Sequence, residues 1–335
     1  MSGSGYDYLF GPVPSRRLGR SLGVDLVPHK TCTLDCIYCE CGPTTVHTAE
    51  RKEYVPIDAV IEELDRFLFD SPALDYITFS GSGEPTLNSG IGRAVRHIKE
   101  RYPRYNLALL TNGTLLDDPE LRASLSGIDF ILPSLDSATE EGFAAVNRPA
   151  PDLTGPGATP SAPARRAVEG LTSFSRENPA CMWLEVFIVP GINDTDKELA
   201  ALIEAAAIIT PKRIQLNTLD RPGTETWVRA ASTDRLSALA ECMEEGLRAW
   251  GADKTKVEII ARAFRSTATA GYRDDIERAV LETVRRRPCT VEDLSAVLGI
   301  PRPELKKYLA SMTSRGLLEI RRFGRGIFYS ARGEP

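Results

Sequence analysis

A chain of 335 residues that is 42% hydrophobic and 26% charged has material for a large core and a second, smaller one, and is neither a disordered nor a fibrous polymer. Seven cysteines, an odd number with three closely spaced, exclude a simple disulfide framework and suit a reducing compartment and a metal site. The formal net charge of -5 is unevenly spread: from Ile276 onward 12 Lys+Arg stand against 7 Asp+Glu, a net of +5, which leaves -10 on the remainder.

The head, MSGSGYDYLF, lacks the basic start and apolar run of a signal peptide. No stretch reaches the roughly 18 uninterrupted apolar residues of a membrane helix. A cytoplasmic protein without a membrane partner is expected. Short apolar runs at Leu22–Val27, Asp75–Phe79, Asn106–Leu110, Asp129–Pro133, Met182–Val189 and Arg213–Asn217 predict strands. Helical spacing follows each in turn, at Ile57–Phe69, Asn88–Arg101, Pro119–Leu125, Ala164–Arg176, Asp196–Ile208 and Thr233–Trp250. Six βα units in series predict an α/β fold, a parallel sheet closing partway into a (β/α)6 barrel, with its chemistry at the carboxyl edge of the strands. The stretch PAPDLTGPGATPSAP, residues 149–163, reads as a long loop, either a passive insertion or a lid.

The tail changes rhythm. Ile276–Arg287, Thr290–Leu298 and Arg302–Ser314 predict three short helices, and GLLEIRRFGRGIFYS alternates and turns at Gly324–Gly326 as a hairpin does. This order resembles a winged helix. The expected organisation is a barrel domain over 1–262 with a cluster loop at 28–42, a connector at 263–275 and a winged-helix domain over 276–335. In a nucleic-acid-binding winged helix the helix from Arg302 enters a groove, with Lys306 and Lys307 near the contact and Arg321, Arg322 and Arg325 on the wing. Such domains also serve as docking modules for proteins.

Cys32, Cys36 and Cys39 form a C-x3-C-x2-C run, KTCTLDCIYCECG, directly after the first predicted strand. Three thiolates hold three corners of a 4Fe-4S cube and leave one iron open, whereas an electron-transfer cluster normally closes all four. S-adenosylmethionine fits such an iron, since its amino and carboxylate groups chelate. Zinc is the competing reading, but structural zinc takes four ligands, usually in paired knuckles. No second pair exists, and only His29 and His47 flank the loop. Cys41 reads as a bystander thiol, and Cys181, Cys242 and Cys289 as small buried hydrophobes.

The cysteine run, followed in order by TFSGSGEPT and LLTNGT after the next two strands, resembles the radical S-adenosylmethionine (radical SAM) superfamily over about residues 20–220. The head FGPVPSRRLGRSLGVDLVP is similar to iron-sulfur oxidoreductases related to wybutosine-type tRNA modification enzymes. The resemblance implies a 4Fe-4S cluster on Cys32, Cys36 and Cys39, with Tyr38 in the same motif, and S-adenosylmethionine as the second cofactor. It implies that Gly81, Ser82, Gly83 and Glu84 receive the methionine end of the cofactor. Thr111, Asn112, Ser134 and Asp136 are then candidates for its carboxylate and ribose. By position, Gly191 is expected near the adenine, Asn217 and Gln215 in the same region, and Arg148 against an anionic group. The implied reaction is reductive cleavage of S-adenosylmethionine to a 5'-deoxyadenosyl radical that abstracts hydrogen, fed by an external flavodoxin- or ferredoxin-type donor. RNA is the expected substrate, with Arg16, Arg17 and Arg20 adding phosphate contacts. A peptide, protein or small metabolite, with methyl transfer as one outcome, is the alternative, and an iron-sulfur transcription regulator is the remote one.

Overall fold

The computed structural model describes residues 6–15, 17–153, 162–178, 182–260, 276–324 and 326–332. Strand β1 (Leu9–Ser15) pairs antiparallel with β2 (Gly19–Val24), and two short strands, β3 (Thr31–Cys32) and β4 (Val46–His47), brace the cysteine loop. The chain then alternates through α1 (Ile57–Leu68), β5 (Tyr76–Phe79), α2 (Ile91–Arg101), β6 (Asn106–Thr111), α3 (Pro119–Ser124) and β7 (Phe130–Pro133). It continues through α4 (Glu140–Asn147), α5 (Pro163–Glu177), β8 (Trp183–Ile188), α6 (Asp196–Ile209), β9 (Arg213–Thr218), α7 (Thr233–Ala249) and β10 (Lys256–Ile259). The sheet order is β1-β2-β5-β6-β7 and β10-β9-β8. Parallel bridges Ile131↔Met182 and Ser134↔Glu185, with the Leu135 N–H on the Glu185 carbonyl at 2.9 Å, carry the ladder from β7 into β8. The result is a partial barrel of parallel strands from β2 to β10, with the antiparallel β1 added at the β2 edge.

Strand alternation separates a dry outer layer from a polar lumen. Leu22, Val24, Ile77, Phe79, Leu107, Leu109, Ile131, Leu184, Val186, Ile214 and Leu216 are at most 1% exposed. They meet apolar helix stripes such as Ile57, Val60, Leu64 and Leu68 of α1 and Ile91, Ala94, Val95 and Ile98 of α2. Each such side chain contributes about 1.5–3 kcal/mol. Side-chain caps start the helices where the sequence supplies them, with Asp118 on α3, Thr139 on α4, Thr195 on α6 and Ser232 on α7. The alternate strand positions face inward. Tyr76, Phe130 and Trp183 stack edge to face as a floor, with the Arg213 guanidinium 4.7 Å from the Trp183 ring. Above them Ser21 and Thr78 share a 2.6 Å hydrogen bond, and Arg17 reaches in to Glu185 at 2.6 Å.

All six predicted strands are present, the first shifted from Leu22–Val27 to Gly19–Val24, and β1, β3, β4, β10 and α4 were not predicted. Helix α2 starts at Ile91 rather than Asn88 because the Asn88 side chain ties three segments together, donating to the Leu26 and Val55 carbonyls and accepting from the Gly90 N–H. Arg17 is not free for phosphate, since Glu185 holds it inside the barrel; Arg16 lies outside the described residues. Cys289 is buried as expected, but Cys242 is exposed on α7. Residues 154–161 of the expected loop, Cys181, and 261–275, which contain the expected connector, lie outside the described residues. No helix among the described residues is long and apolar enough to cross a membrane.

The tail forms α8 (Ile276–Arg286), α9 (Val291–Leu298), α10 (Arg302–Ser314) and an antiparallel hairpin of β11 (Leu318–Phe323) and β12 (Gly326–Ala331). A capping box between Thr290 and Asp293 opens α9, and Gly299 closes it in the left-handed conformation. Val280, Val284, Leu294, Leu298, Leu305, Leu309 and Met312 make its own core. This module sits on the barrel rim. Arg221 after β9 meets Asp293 at 2.5 Å, with side chains only 4% and 3% exposed, and donates to the Pro288 carbonyl at 2.7 Å. Arg286 pairs with Asp25 at 2.9 Å and lies 4.0 Å from the Phe10 ring centroid. Phe323 packs on the cluster of Ile37, Phe187, Val189, Leu219 and Val228.

Candidate active site

Chain turns at the carboxyl ends of β2, β5, β6 and β7 converge on the cysteine loop. Cys32, Cys36 and Cys39 are half-buried there. The GSGE turn after β5 is locked to the loop by Glu84 N–H on the Thr31 carbonyl at 3.0 Å and by Lys30 N–H on the Ser82 carbonyl at 3.1 Å. Only glycine fits at two of its positions. A Cβ on Gly83 would stand 2.1 Å from the Thr31 carbonyl oxygen; one on Gly81, whose φ is +147°, would stand 2.2 Å from the Asp25 carboxylate. Ser82 is buried between them.

Glu84, expected among the residues that receive the methionine end of the cofactor, is bonded to the protein through both oxygens. Its Oε1 already accepts from Thr86 N–H, Thr86 Oγ1 and Thr111 Oγ1, and its Oε2 from Asn112 N–H at 2.7 Å. The carboxylate therefore holds the turn after β5 to the turn after β6, and Thr111 is engaged with it. Burial pushes the Glu84 pKa up against the pull of those donors. Asn112 faces the cysteines, with Nδ2 2.7 Å from Thr33 Oγ1 and 3.5 Å from Cys32 Sγ.

Asp136, a candidate for the cofactor's carboxylate or ribose, also has protein partners on both oxygens. Oδ2 accepts from Tyr38 Oη at 2.5 Å and Asn147 Nδ2 at 2.6 Å, and Oδ1 from Phe187 N–H at 2.8 Å. Tyr38 stacks on Phe187 with centroids 3.7 Å apart, so the motif tyrosine fixes the loop to β8. Ser134 leaves its hydroxyl unengaged among the described residues. Arg148 is not held in reserve for an anion: it pairs with Glu225 at 2.7 Å and approaches Asp35. Asn217 donates to Glu185 at 3.0 Å inside the lumen, and the buried Gln215 beside it leaves Oε1 without a partner among the described residues. Gly191 is exposed, its N–H on Asp194 at 2.6 Å, and no bond among the described residues ties it to the cysteine loop.

Burial drives the Asp136 pKa up to about 6. The unfolded chain loses that proton near the ordinary carboxylate range, so between about pH 4 and pH 6 the folded state binds the extra proton and stability falls as pH rises. In the cluster-free protein the expected loss is on the order of 3 kcal/mol. Asp136→Asn, followed by denaturant unfolding at several pH values, should remove that slope.

The thiols differ. Burial, then the Glu84 carboxylate, push Cys32 up to about 12, and burial and Asp136 raise Cys36 well above a free thiol. Cys39 is lowered, first by a hydrogen bond from Cys41 and then by Lys30, against burial. Among the described residues no three His, Cys, Asp or Glu side chains surround one point as a single metal ion requires. A cube instead takes one thiolate at each of three corners, and each sulfur here has its own N–H donor: Lys30 Nζ to Cys39 at 3.1 Å, Asn112 to Cys32, and Asn147 to Cys36 at 3.4 Å. That donor set fits a buried, electron-rich iron-sulfur centre. Lys30 and Asn147 were missed in the sequence, where neither stands in a recognisable motif.

The radical SAM superfamily model matches residues 26–205. The chain is 28% identical over 328 residues to a UPF0026 protein of Helicobacter pylori strain J99, covering 96% of this chain and 97% of that one. It is 30% identical over 308 residues to a protein of Brachyspira hyodysenteriae named GTPase Obg, covering 92% of this chain but spanning only 43% of that relative's length. Among solved structures, Streptococcus suis SuiB superposes with a TM-score of 0.50 at 15% identity, over 71% of this chain and 49% of that one, a likeness of fold alone. The cysteine loop on a partial barrel and the matched model agree: the chain belongs to the radical SAM superfamily, whose members use a 4Fe-4S cluster and S-adenosylmethionine.

Proposed function

We propose that this radical SAM enzyme acts on a nucleotide in RNA, with the tail working as a winged helix that holds the polymer beside the barrel mouth. With both cofactors bound, reductive cleavage of S-adenosylmethionine supplies a 5'-deoxyadenosyl radical for hydrogen abstraction. The chain's part is to orient and enclose. Cys32, Cys36 and Cys39 would hold the cluster, the backbone of Gly81, Ser82 and Gly83 would line the methionine end, and Ser134 offers a hydroxyl that is unengaged among the described residues. The electron donor is of the flavodoxin or ferredoxin type.

The observation that carries the RNA reading is the docking of the basic module over the cysteine loop. Lys306, Lys307, Arg321 and Arg322 are exposed on it, and Lys306 and Lys307 carry no ion pair among the described residues. Exposed lysines without carboxylate partners among the described residues suit phosphate contact. The main domain's net -10 confines that contact to the module.

Anaerobic protein given reductant and S-adenosylmethionine should release 5'-deoxyadenosine, which a sensor would not. RNA retention should weaken steeply with salt, and a Lys306→Ala, Lys307→Ala, Arg322→Ala triple variant should lower the log–log salt slope by about 2. Indifference to RNA at low salt would transfer the same chemistry to a peptide or small metabolite.

A further inference from the structure

We propose that Lys30, Asn112 and Asn147 form a donor shell, one N–H to each cluster cysteine, that raises the reduction potential of the centre held by the loop. The inference rests on the cluster reading above and concerns residues to which that reading gives no redox role.

Three sulfurs have three donors, brought from separate places in the fold. Lys30 precedes β3 and adopts φ +56°, Asn112 follows β6, and Asn147 is the last residue of α4. Each is held independently of the sulfur it serves. Lys30 is pinned by its own N–H on Ser82 and by its carbonyl, which accepts from Thr45 and Val46. Asn112 is fixed by Oδ1, which accepts from Thr114 N–H and Oγ1, and Asn147 by its second bond to Asp136.

Lys30 makes the strongest case. It is 3% exposed, yet among the described residues its ammonium has no carboxylate partner; its hydrogen bond goes to Cys39 Sγ at 3.1 Å. A buried ammonium is retained when negative charge sits against it, and a thiolate bound to an iron-sulfur cube is that charge. A left-handed backbone at a non-glycine residue, held by the surrounding loop, keeps the side chain aimed there.

The electrostatic consequence has one sign. One electron passes from the flavodoxin- or ferredoxin-type donor to the cluster, no proton moves, and the cluster becomes more negative by one charge. N–H dipoles and a cation on the sulfurs stabilise the more negative state and raise the potential.

The test is an EPR-monitored potentiometric titration of the full chain, reconstituted anaerobically without S-adenosylmethionine, with iron and sulfide counted. Lys30→Met should shift the midpoint downward by at least a tenfold change in the reduction equilibrium, 59 mV for one electron. Asn147→Leu should shift it in the same direction by less, and Lys30→Arg, which restores a cationic donor, should return most of the loss. Unchanged midpoints in Lys30→Met and Asn147→Leu at full iron load would overturn the proposal. Should either variant fail to take up iron, the wild-type protein labelled with 15N-lysine decides: pulsed EPR of the reduced centre must show a lysine nitrogen coupling, and its absence rejects the Lys30 contact. A wild-type protein with no 4Fe-4S signal at all would instead defeat the cluster reading.

Discussion

Cys36→Ala is expected to abolish cluster uptake and 5'-deoxyadenosine release while the cluster-free fold survives with a loss of about 1 kcal/mol or less. Two thiolates cannot hold a cube that this loop offers three. The fold, by contrast, draws its stability from the dry layer between the parallel strands and their helices, which contains none of the three cysteines among its fully buried members. Truncation at Cys36 removes one half-buried sulfur, and its donor Asn147 keeps Asp136 as a partner, so no polar group is orphaned. Iron analysis, far-UV circular dichroism and denaturant unfolding of cluster-free wild type and variant check both halves. Loss of cooperative unfolding in the cluster-free variant would mean the loop nucleates the barrel, contrary to the packing.

The cysteine loop and the two turns facing it were legible because their chemistry is local: a ligand spacing, a glycine turn and an Asn-Gly turn, each just after a strand with a clear apolar period. The elements that escaped were illegible for physical reasons. β1 reads LFGPVPS, and Pro12 and Pro14 argue against a strand; only an edge position, with an irregular register between Phe10 and Val13, tolerates them. β10, KVEI, is short and half exposed, so it carries little apolar signal. The docking of the tail depended on pairs separated by tens to hundreds of residues, such as Asp25 with Arg286, which no local pattern announces.

The site residues show a second limit of local reading. Glu84, Asp136 and Arg148 have the types that bind ligands, and each also has protein partners. Around a cluster loop that must present three buried sulfurs, the surrounding turns need their own braces, and short polar residues at strand ends serve as both brace and ligand. Sequence alone does not separate those uses. Burial and bonding add to it: among the described residues the Ser134 hydroxyl is unengaged, while Lys30 and Asn147 donate to cysteine sulfurs.

Arg221→Ala is expected to release the tail module from the barrel. Arg221 is 4% exposed, and its guanidinium reaches Asp293, the Pro288 carbonyl and Glu40, the residue between Cys39 and Cys41. Removing one partner of a buried pair leaves the other charge unsolvated, a penalty of about 3–5 kcal/mol. Asp293 keeps its capping-box bond to Thr290 N–H. The chain has an escape, since undocking returns Asp293 to water, so the observed loss is limited by the free energy of docking itself. The remaining Arg286–Asp25 pair is partly exposed and contributes about 1 kcal/mol at most, too little to hold the module alone. Hydrogen exchange should therefore quicken in α8, α9 and the Phe323 contact while the barrel strands keep their protection, and unfolding should split into two transitions. Arg221→Lys keeps the charge but loses the fork and should fall between. Arg221→Met combined with Asp293→Asn, which removes both charges and keeps a capping oxygen, should recover most of the docking. Because Glu40 lies within the cysteine loop, the released form should also lose iron faster in air. Wild-type exchange and a single transition in Arg221→Ala would show that the apolar contact at Phe323 suffices, and that the buried pair adds no net hold on the module.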